Sequence, residues 1–224
     1  MGKISVIIPT RGLVVAQCIS SVMSELQNTD ITSHIVIQEG LSIPDCFNDP
    51  IKHELSIFDP DYILNVEEDV AIPHGGLQSL LRADYDITAI DYPLSNGYGC
   101  VAWYKGKPMW CGTGCTLIKR KVFEKMLFPW FRTDINYLIN PDGTFTLKEG
   151  ILNGYGGHDI DFCITARHLG FTIGVIPSTT ARHFKVKKVG REGDNRGVHE
   201  LTALDFIKHS NVLKGDPLDS NLFS

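Results

Sequence analysis

The stretch Tyr62-Ile63-Leu64-Asn65-Val66-Glu67-Glu68-Asp69 decides the reading of this chain. A mostly apolar run passes without interruption into three consecutive carboxylates. Such a run reads as a strand buried on both faces, the habit of parallel sheets covered by helices. The carboxylates then stand at the strand's C-terminal edge, where the connecting loops of these sheets converge and ligands collect. Alternation along extended backbone lets Glu67 and Asp69 face one point. Two carboxylates so aimed repel each other unless a cation lies between them. Hard oxygen ligands suit Mg²⁺ or Mn²⁺, ions that also bridge diphosphates.

Upstream, Ile4-Ser5-Val6-Ile7-Ile8 is a second such strand, closed by Pro9, Thr10 and Arg11. After Gly12, the residues Val14, Val15, Cys18, Ile19, Val22, Met23 and Leu26 recur at helical spacing. Ile35-Val36-Ile37 ends in the polar turn Gln38-Glu39-Gly40, and helices are predicted around Ile51 to Ile57 and Gly76 to Leu81. Polar residues at three successive strand ends predict a single cleft.

Downstream the pattern changes. Ile87 to Ile90 is a strand, Val101 to Trp110 a hairpin turning at Lys105-Gly106-Lys107, and Cys115 to Ile118 a further strand. Helices are predicted over Arg120 to Leu127, Asp159 to Leu169 and His199 to His209, with a strand over Thr172 to Ile176. The expectation is an α/β fold in which a central, mostly parallel mixed sheet is flanked by helices.

Composition narrows the class. The 224 residues, 43% hydrophobic and 21% charged, suit one well-buried domain over 1–224. A formal charge of -5 predicts no bulk attraction to nucleic acid. No apolar run approaches the roughly 20 residues of a transmembrane helix, and Met1 to Pro9 reads as a strand rather than a signal peptide. Six scattered cysteines without a CxxC pair are expected as free thiols in a reducing, cytoplasmic setting. Cys111 and Cys115 have no second pair with which to hold a metal.

Four segments in order, Ser5 to Arg11, Glu67 to Asp69, Gly112-Thr113-Gly114-Cys115-Thr116-Leu117-Ile118-Lys119-Arg120, and Gly157-His158-Asp159-Ile160-Asp161-Phe162-Cys163, resemble the GT-A glycosyltransferases. The likeness covers about residues 3–185 and is nearest the large inverting, family 2-like group. It implies a nucleotide-binding half at about 1–90 and an acceptor and catalytic half at about 91–210.

Carried over, the resemblance implies that Pro9, Thr10 and Arg11 line the nucleotide pocket and that Glu39 approaches the base or ribose. Glu67-Glu68-Asp69 takes the place of the family's DXD motif, with Asp69 at its final Asp and a longer Glu67 at its first. His183 stands where a late histidine completes the metal shell, and neutral imidazole is a good Mn²⁺ ligand. Asp159 matches the general base that deprotonates the acceptor, while His158 replaces the family's preceding Glu. The implied activity is a metal-dependent, Mn²⁺- or Mg²⁺-using hexosyl- or pentosyltransfer from a nucleotide-sugar, a UDP-sugar by family frequency. The acceptor is open among protein, glycan, lipid-linked sugar and modified nucleobase, and so is the oligomeric state.

Trp103, Tyr104, Trp110, Gly112 and Gly114 are expected around the donor sugar, since aromatic faces pack on sugar C–H surfaces and glycine allows close approach. Ordinary core packing explains the aromatics equally well. The cations and glycines of Lys185 to Gly197 suit a lid over the diphosphate, and equally a solvated charged face. Two rival readings remain. A nucleotidyltransferase would carry a glycine-rich, basic loop after its first strand, whereas Pro9-Thr10-Arg11-Gly12 has one glycine. A non-catalytic nucleotide- or sugar-binding protein would keep the same fold.

Overall fold

A computed structural model describes residues 2–133, 135–139, 145–149, 157–189, 198–206 and 211–212. The chain runs β1 (Lys3–Thr10), α1 (Ala16–Gln27), β2 (Thr32–Glu39), α2 (Asp45–Ile57), β3 (Tyr62–Val66), β4 (Val70–Ala71), α3 (Gly76–Arg82) and β5 (Ile87–Asp91). It continues with β6 (Val101–Tyr104), β7 (Lys107–Cys111), β8 (Cys115–Lys119), α4 (Arg120–Lys125), β9 (Ile135–Ile139), β10 (Phe145–Glu149) and α5 (His158–His168). The last elements are β11 (Ile173–Thr180), β12 (Arg182–Val189), β13 (Val198–Ala203) and β14 (Asn211–Val212).

Six strands form the central sheet in the order β11-β5-β8-β3-β1-β2. β1 pairs in parallel with β2 and β3, and β11 with β5, while β8 runs antiparallel between β3 and β5. The expected mostly parallel mixed sheet is therefore present. The continuous apolar runs follow from burial on both faces: Ile4, Val6, Ile7 and Ile8 have no exposed surface. Ser5 marks one face, since its hydroxyl donates to Glu54 of α2 at 2.7 Å. Ile4, Val6 and Ile8 alternate to the other. Each fully buried aliphatic side chain stabilises the fold by about 2 kcal/mol.

The one reversed strand matters for function. Because β8 is antiparallel to β3, its first residue Cys115 pairs with the last residue of β3, Val66. The Gly112–Gly114 segment is thereby delivered to the same sheet edge as Glu67-Glu68-Asp69. In a wholly parallel sheet it would lie at the opposite edge.

The helix predicted over His199 to His209 is corrected. Residues 198–203 are strand β13, paired antiparallel with β12 from Phe184↔Ala203 to Val189↔Val198. The non-local partner overrides the local spacing, as pairing routinely overrides intrinsic propensity. Lys185 to Val189, read as part of a lid, belong to β12, and 190–197 lie outside the described residues. No helix among the described residues is long and apolar enough to cross a membrane. All six cysteines are buried free thiols.

One buried amide fixes the approach to α5. Asn48 on α2 accepts from the backbone N–H groups of Trp130 (3.1 Å) and Phe131 (3.0 Å) and donates to the Phe131 carbonyl (2.9 Å). Phe131 then stacks on Phe162 of α5 with centroids 4.4 Å apart. Asn48→Ala removes three buried hydrogen bonds and strands their partners, so it is expected to cost about 3 kcal/mol in urea unfolding. A loss within experimental error would mean that the segment is held by its aromatic packing alone.

Candidate functional site

The acidic triplet turns sharply after β3. Val70 N–H donates to the Glu67 carbonyl at 3.1 Å, and Glu67 N–H donates to Gly114 at 3.1 Å, extending the β3–β8 ladder by one step. The three carboxylates then diverge to different partners.

Glu68 closes the loop after β1. Its Oε2 accepts from the Thr10 hydroxyl (2.7 Å) and Arg11 N–H (2.8 Å), and its Oε1 accepts from Arg11 Nε (2.6 Å) and Nη2 (2.5 Å). Thr10 Oγ1 in turn accepts from the N–H groups of Gly12 and Leu13, each at 3.0 Å. Gly12 has φ 104, a conformation that favours glycine, and a Cβ there would press on the Glu39 carboxylate at 3.0 Å. Glu39 thus sits against this loop, exposed to solvent.

Asp69 is brought to His183 by the backbone. β4 pairs antiparallel with the start of β12, placing His183 opposite Val70, and Phe184 N–H donates to the Asp69 carbonyl at 2.8 Å. His183 Nδ1 donates to the Pro93 carbonyl at 2.7 Å, which directs Nε2 to Asp69 Oδ2 at 3.4 Å. A histidine whose Nδ1 is held by a carbonyl is the usual arrangement of a metal ligand. Burial lowers the His183 pKa, but the Asp69 hydrogen bond and charge, the Pro93 carbonyl and Glu67 outweigh it and raise it overall. The surroundings therefore favour a positive charge at this point, whether a proton or an ion.

Glu67 faces the other way, toward α5. Its Oε1 accepts from the Thr113 hydroxyl at 3.0 Å. The Thr113 oxygen also lies 3.3 Å from His158 Nε2. Thr113 has one proton, so when it donates to Glu67 the His158 contact requires Nε2–H as donor, leaving Nδ1 as a bare acceptor. That Nδ1 is buried with no partner among the described residues. The His158 ring stacks on Phe47 at 5.0 Å, and burial lowers its pKa against the opposing charge of Asp159.

Asp159 lies in the first turn of α5, where the helix dipole favours a carboxylate. The helix begins at Gly157 rather than at a side-chain cap, and Asp159 Oδ1 accepts from Ile160 N–H at 2.9 Å. The charge of Asp159 reaches Glu67, His158 and Tyr92. Asp69 and, to a smaller degree, Asp159 thus both push up the pKa of Glu67. Asp161 is buried within the same turn.

A cleft of about 400 Å³ gathers Pro9, Thr10, Arg11, Glu67, Glu68 and Asp69 with His158, its apolar wall coming from Leu41, Ile43, Cys46 and Phe47. A second hollow of about 430 Å³ shares Arg11, Glu68 and Asp69 and reaches His183. Gly112 and Gly114 stand behind them, where the close approach they permit is to Tyr92. A Cβ at either would lie 2.5 or 2.6 Å from the Tyr92 hydroxyl, which accepts from Gly114 N–H at 3.0 Å. Trp110 is half-buried and packs on hydrophobic clusters behind the hairpin.

Among the described residues, no group of three or more His, Cys, Asp or Glu side chains is arranged to hold a metal. Asp69 and His183 fit two positions of a shell: an ion about 2.1 Å from each can span their 3.4 Å separation. Hard cations in nucleotide sites commonly take one or two protein ligands and complete the shell with phosphate oxygens and water.

Several participants carried no usable signal in the sequence. Thr113 and Tyr92 have no charge or spacing that marks them, and His158 stands out only as a departure from a motif. The Leu41–Phe47 wall follows β2 but has no charged marker.

No protein-family model matches the chain, and no curated protein matches it. Solved structures do. The A197 protein from STIV superposes with a TM-score of 0.57 at 21% identity, over 93% of this chain and 99% of that one. A mutant of Drosophila β-1,4-galactosyltransferase 7, in complex with manganese, UDP-Gal and xylobiose, superposes with a TM-score of 0.50 at 15% identity, over 91% and 94%. The chain has the GT-A-like fold of these neighbours.

The electrostatics of Glu67 predict a pH dependence. Burial, then the charge of Asp69, push its carboxyl up from 4.5 to about 7. A carboxyl whose pKa is higher in the folded state stabilises the fold while protonated. That contribution is complete below about 4.5 and disappears as pH rises through about 7. Between about pH 5 and pH 8, the wild type is expected to lose roughly 3 kcal/mol of unfolding free energy relative to Glu67→Gln. Parallel urea curves for the two proteins across that range would contradict the assignment.

Proposed function

We propose that this protein is a metal-dependent glycosyltransferase that moves a sugar from a nucleotide-sugar, UDP-linked in our reading, to an acceptor hydroxyl with inversion of configuration. One observation carries the reading: Asp69, tied to His183, lines one cleft with Glu67, with His158, the residue before Asp159, and with Pro9, Thr10 and Arg11. The GT-A-like fold and a neighbour solved with manganese and UDP-Gal support it.

In this reading the Pro9–Arg11 loop, locked by Glu68, and the Phe47 wall receive the nucleotide. Asp69 and His183 would hold Mn²⁺ or Mg²⁺, which would supply charge neutralisation for a departing diphosphate. Asp159, fixed in the first turn of α5, takes the proton of the attacking hydroxyl. His158 stays neutral under burial and offers its ring beside the reacting groups without adding positive charge. Arg11 is anchored by Glu68 and borders both hollows, where it meets the nucleotide's phosphates.

The test is a thermal-shift screen of nucleotide-sugars with and without Mn²⁺, followed by turnover of the stabilising donor. UDP with Mn²⁺ is expected to raise the Tm, and Asp69→Asn to abolish the Mn²⁺-dependent part. Asp159→Asn should keep the shift while donor hydrolysis or transfer falls about 10²- to 10⁴-fold. A shift without any turnover would make the protein a binding module. The absence of any shift with every nucleotide-sugar would remove the reading altogether.

A further inference from the structure

A larger cavity, of about 530 Å³, lies away from the cleft, where the turn of the β6–β7 hairpin, the C-terminal end of α5 and the start of β11 meet. Arg167 on its wall is eight residues beyond Asp159 on α5, about 12 Å along the helix axis. The rings of Tyr85, Trp103 and Phe171 line it, with Lys107 and Arg167 as its charged residues. No carboxylate is among the lining residues of this cavity, although the chain carries a net charge of -5. Of the neighbouring acids, Asp84 pairs with Lys119 at 3.0 Å, and Asp86 pairs with Lys121 at 2.6 Å while its Oδ2 accepts from the N–H (3.0 Å) and hydroxyl (3.1 Å) of Thr172 on the wall.

The wall is built by specific local features. In the hairpin, Ala102 pairs with Trp110 but Trp103 pairs with Pro108, so Met109 is an extra residue and the register slips at Trp103. Such bulges re-aim the side chain they carry. The Trp103 indole N–H is buried and has no acceptor among the described residues, a state that costs free energy until an acceptor arrives. The Tyr85 ring lies directly on Gly174, where a Cβ would have no room, and remains 44% exposed. Arg167 Nη1 donates to the Pro108 carbonyl at 2.9 Å, which anchors the guanidinium by one of its five N–H groups. Lys125 stands over the Phe171 ring at 5.7 Å and donates to the Leu169 carbonyl at 3.2 Å, outside the cavity lining.

We propose that this cavity binds an anionic sugar, with its carboxylate or phosphate on Lys107 and Arg167 and its C–H face on Trp103 and Tyr85. Aromatic faces and a forked guanidinium are the two elements that recognise such a ligand. The site is separate from the nucleotide cleft, and its test does not depend on transferase activity.

Isothermal titration of the full chain with tri-galacturonate, glucose 6-phosphate and the neutral maltotriose separates the sources. Carboxylate or phosphate sugar is expected to bind in the micromolar to millimolar range, and maltotriose at least about tenfold more weakly. Lys107→Gln combined with Arg167→Gln should weaken the anionic ligand by about tenfold or more, and Trp103→Phe by about threefold to tenfold. Tyr85→Ala, at a half-exposed position, provides a variant that tests the platform if the others fail to fold. Failure of both anionic sugars to bind at millimolar concentration overturns the proposal. So does equal affinity for maltotriose, or affinity unchanged in the folded variants.

Discussion

Three carboxylates, Glu67, Glu68 and Asp69, line one half-buried cleft, and a fourth, Asp159, follows its lining residue His158 and adds its charge to Glu67; the rest of the site follows from how these charges are balanced. Each is compensated differently. Glu68 receives a bidentate guanidinium and two further donors, which turns it into the lock of the β1 loop. Asp69 faces a histidine whose pKa it helps to raise. Asp159 has a helix N-terminus. Glu67, enclosed and facing two of the others, holds its proton to about pH 7. A site that retains protons on Glu67 and His183 is one in which positive charge is missing.

That arrangement depends on backbone topology more than on side-chain reach. Parallel β1 and β3 put the Thr10–Arg11 loop and the acidic triplet on one edge, and the reversed β8 adds Thr113. The two-residue strand β4 carries Asp69 onto β12, where a ladder of main-chain hydrogen bonds fixes it beside His183. Side chains on flexible loops would have moved apart under their mutual repulsion. Main-chain hydrogen bonds to neighbouring strands prevent this.

The first half of the chain was legible because its signals are local. Apolar runs ending in polar groups mark both the strands of a doubly covered sheet and the edge at which a ligand is met, so Pro9, Thr10, Arg11, Glu67, Glu68 and Asp69 were read together and share one cleft. What could not be read depends on distant partners. Periodicity does not reveal that Glu68 would be taken up by Arg11, or that Thr113 would join Glu67 to His158. Residues 198–203 show the same limit: their strand exists because β12 offers an edge, and nothing within the segment announces it. Asn48 is another such case, a helix residue whose three hydrogen bonds are made with a segment more than 80 positions away.

The polarity of α5 ties these features together. Its first residue, His158, lines the acidic cleft and its first turn holds Asp159 and Asp161, while its last turn holds Arg167, which lines the far cavity, and His168. Both placements agree with the helix dipole, so neither end opposes the fold electrostatically. The consequence for ligands is opposite at the two ends. An anion approaching the cleft meets three acidic side chains and the single guanidinium of Arg11, which Glu68 already engages, so a bound cation would favour its entry. An anion approaching the far cavity meets Lys107 and Arg167 directly and needs none. The two proposed anion sites thus lie toward opposite ends of a single helix, the acidic one at its N-terminus and the basic one at its C-terminus.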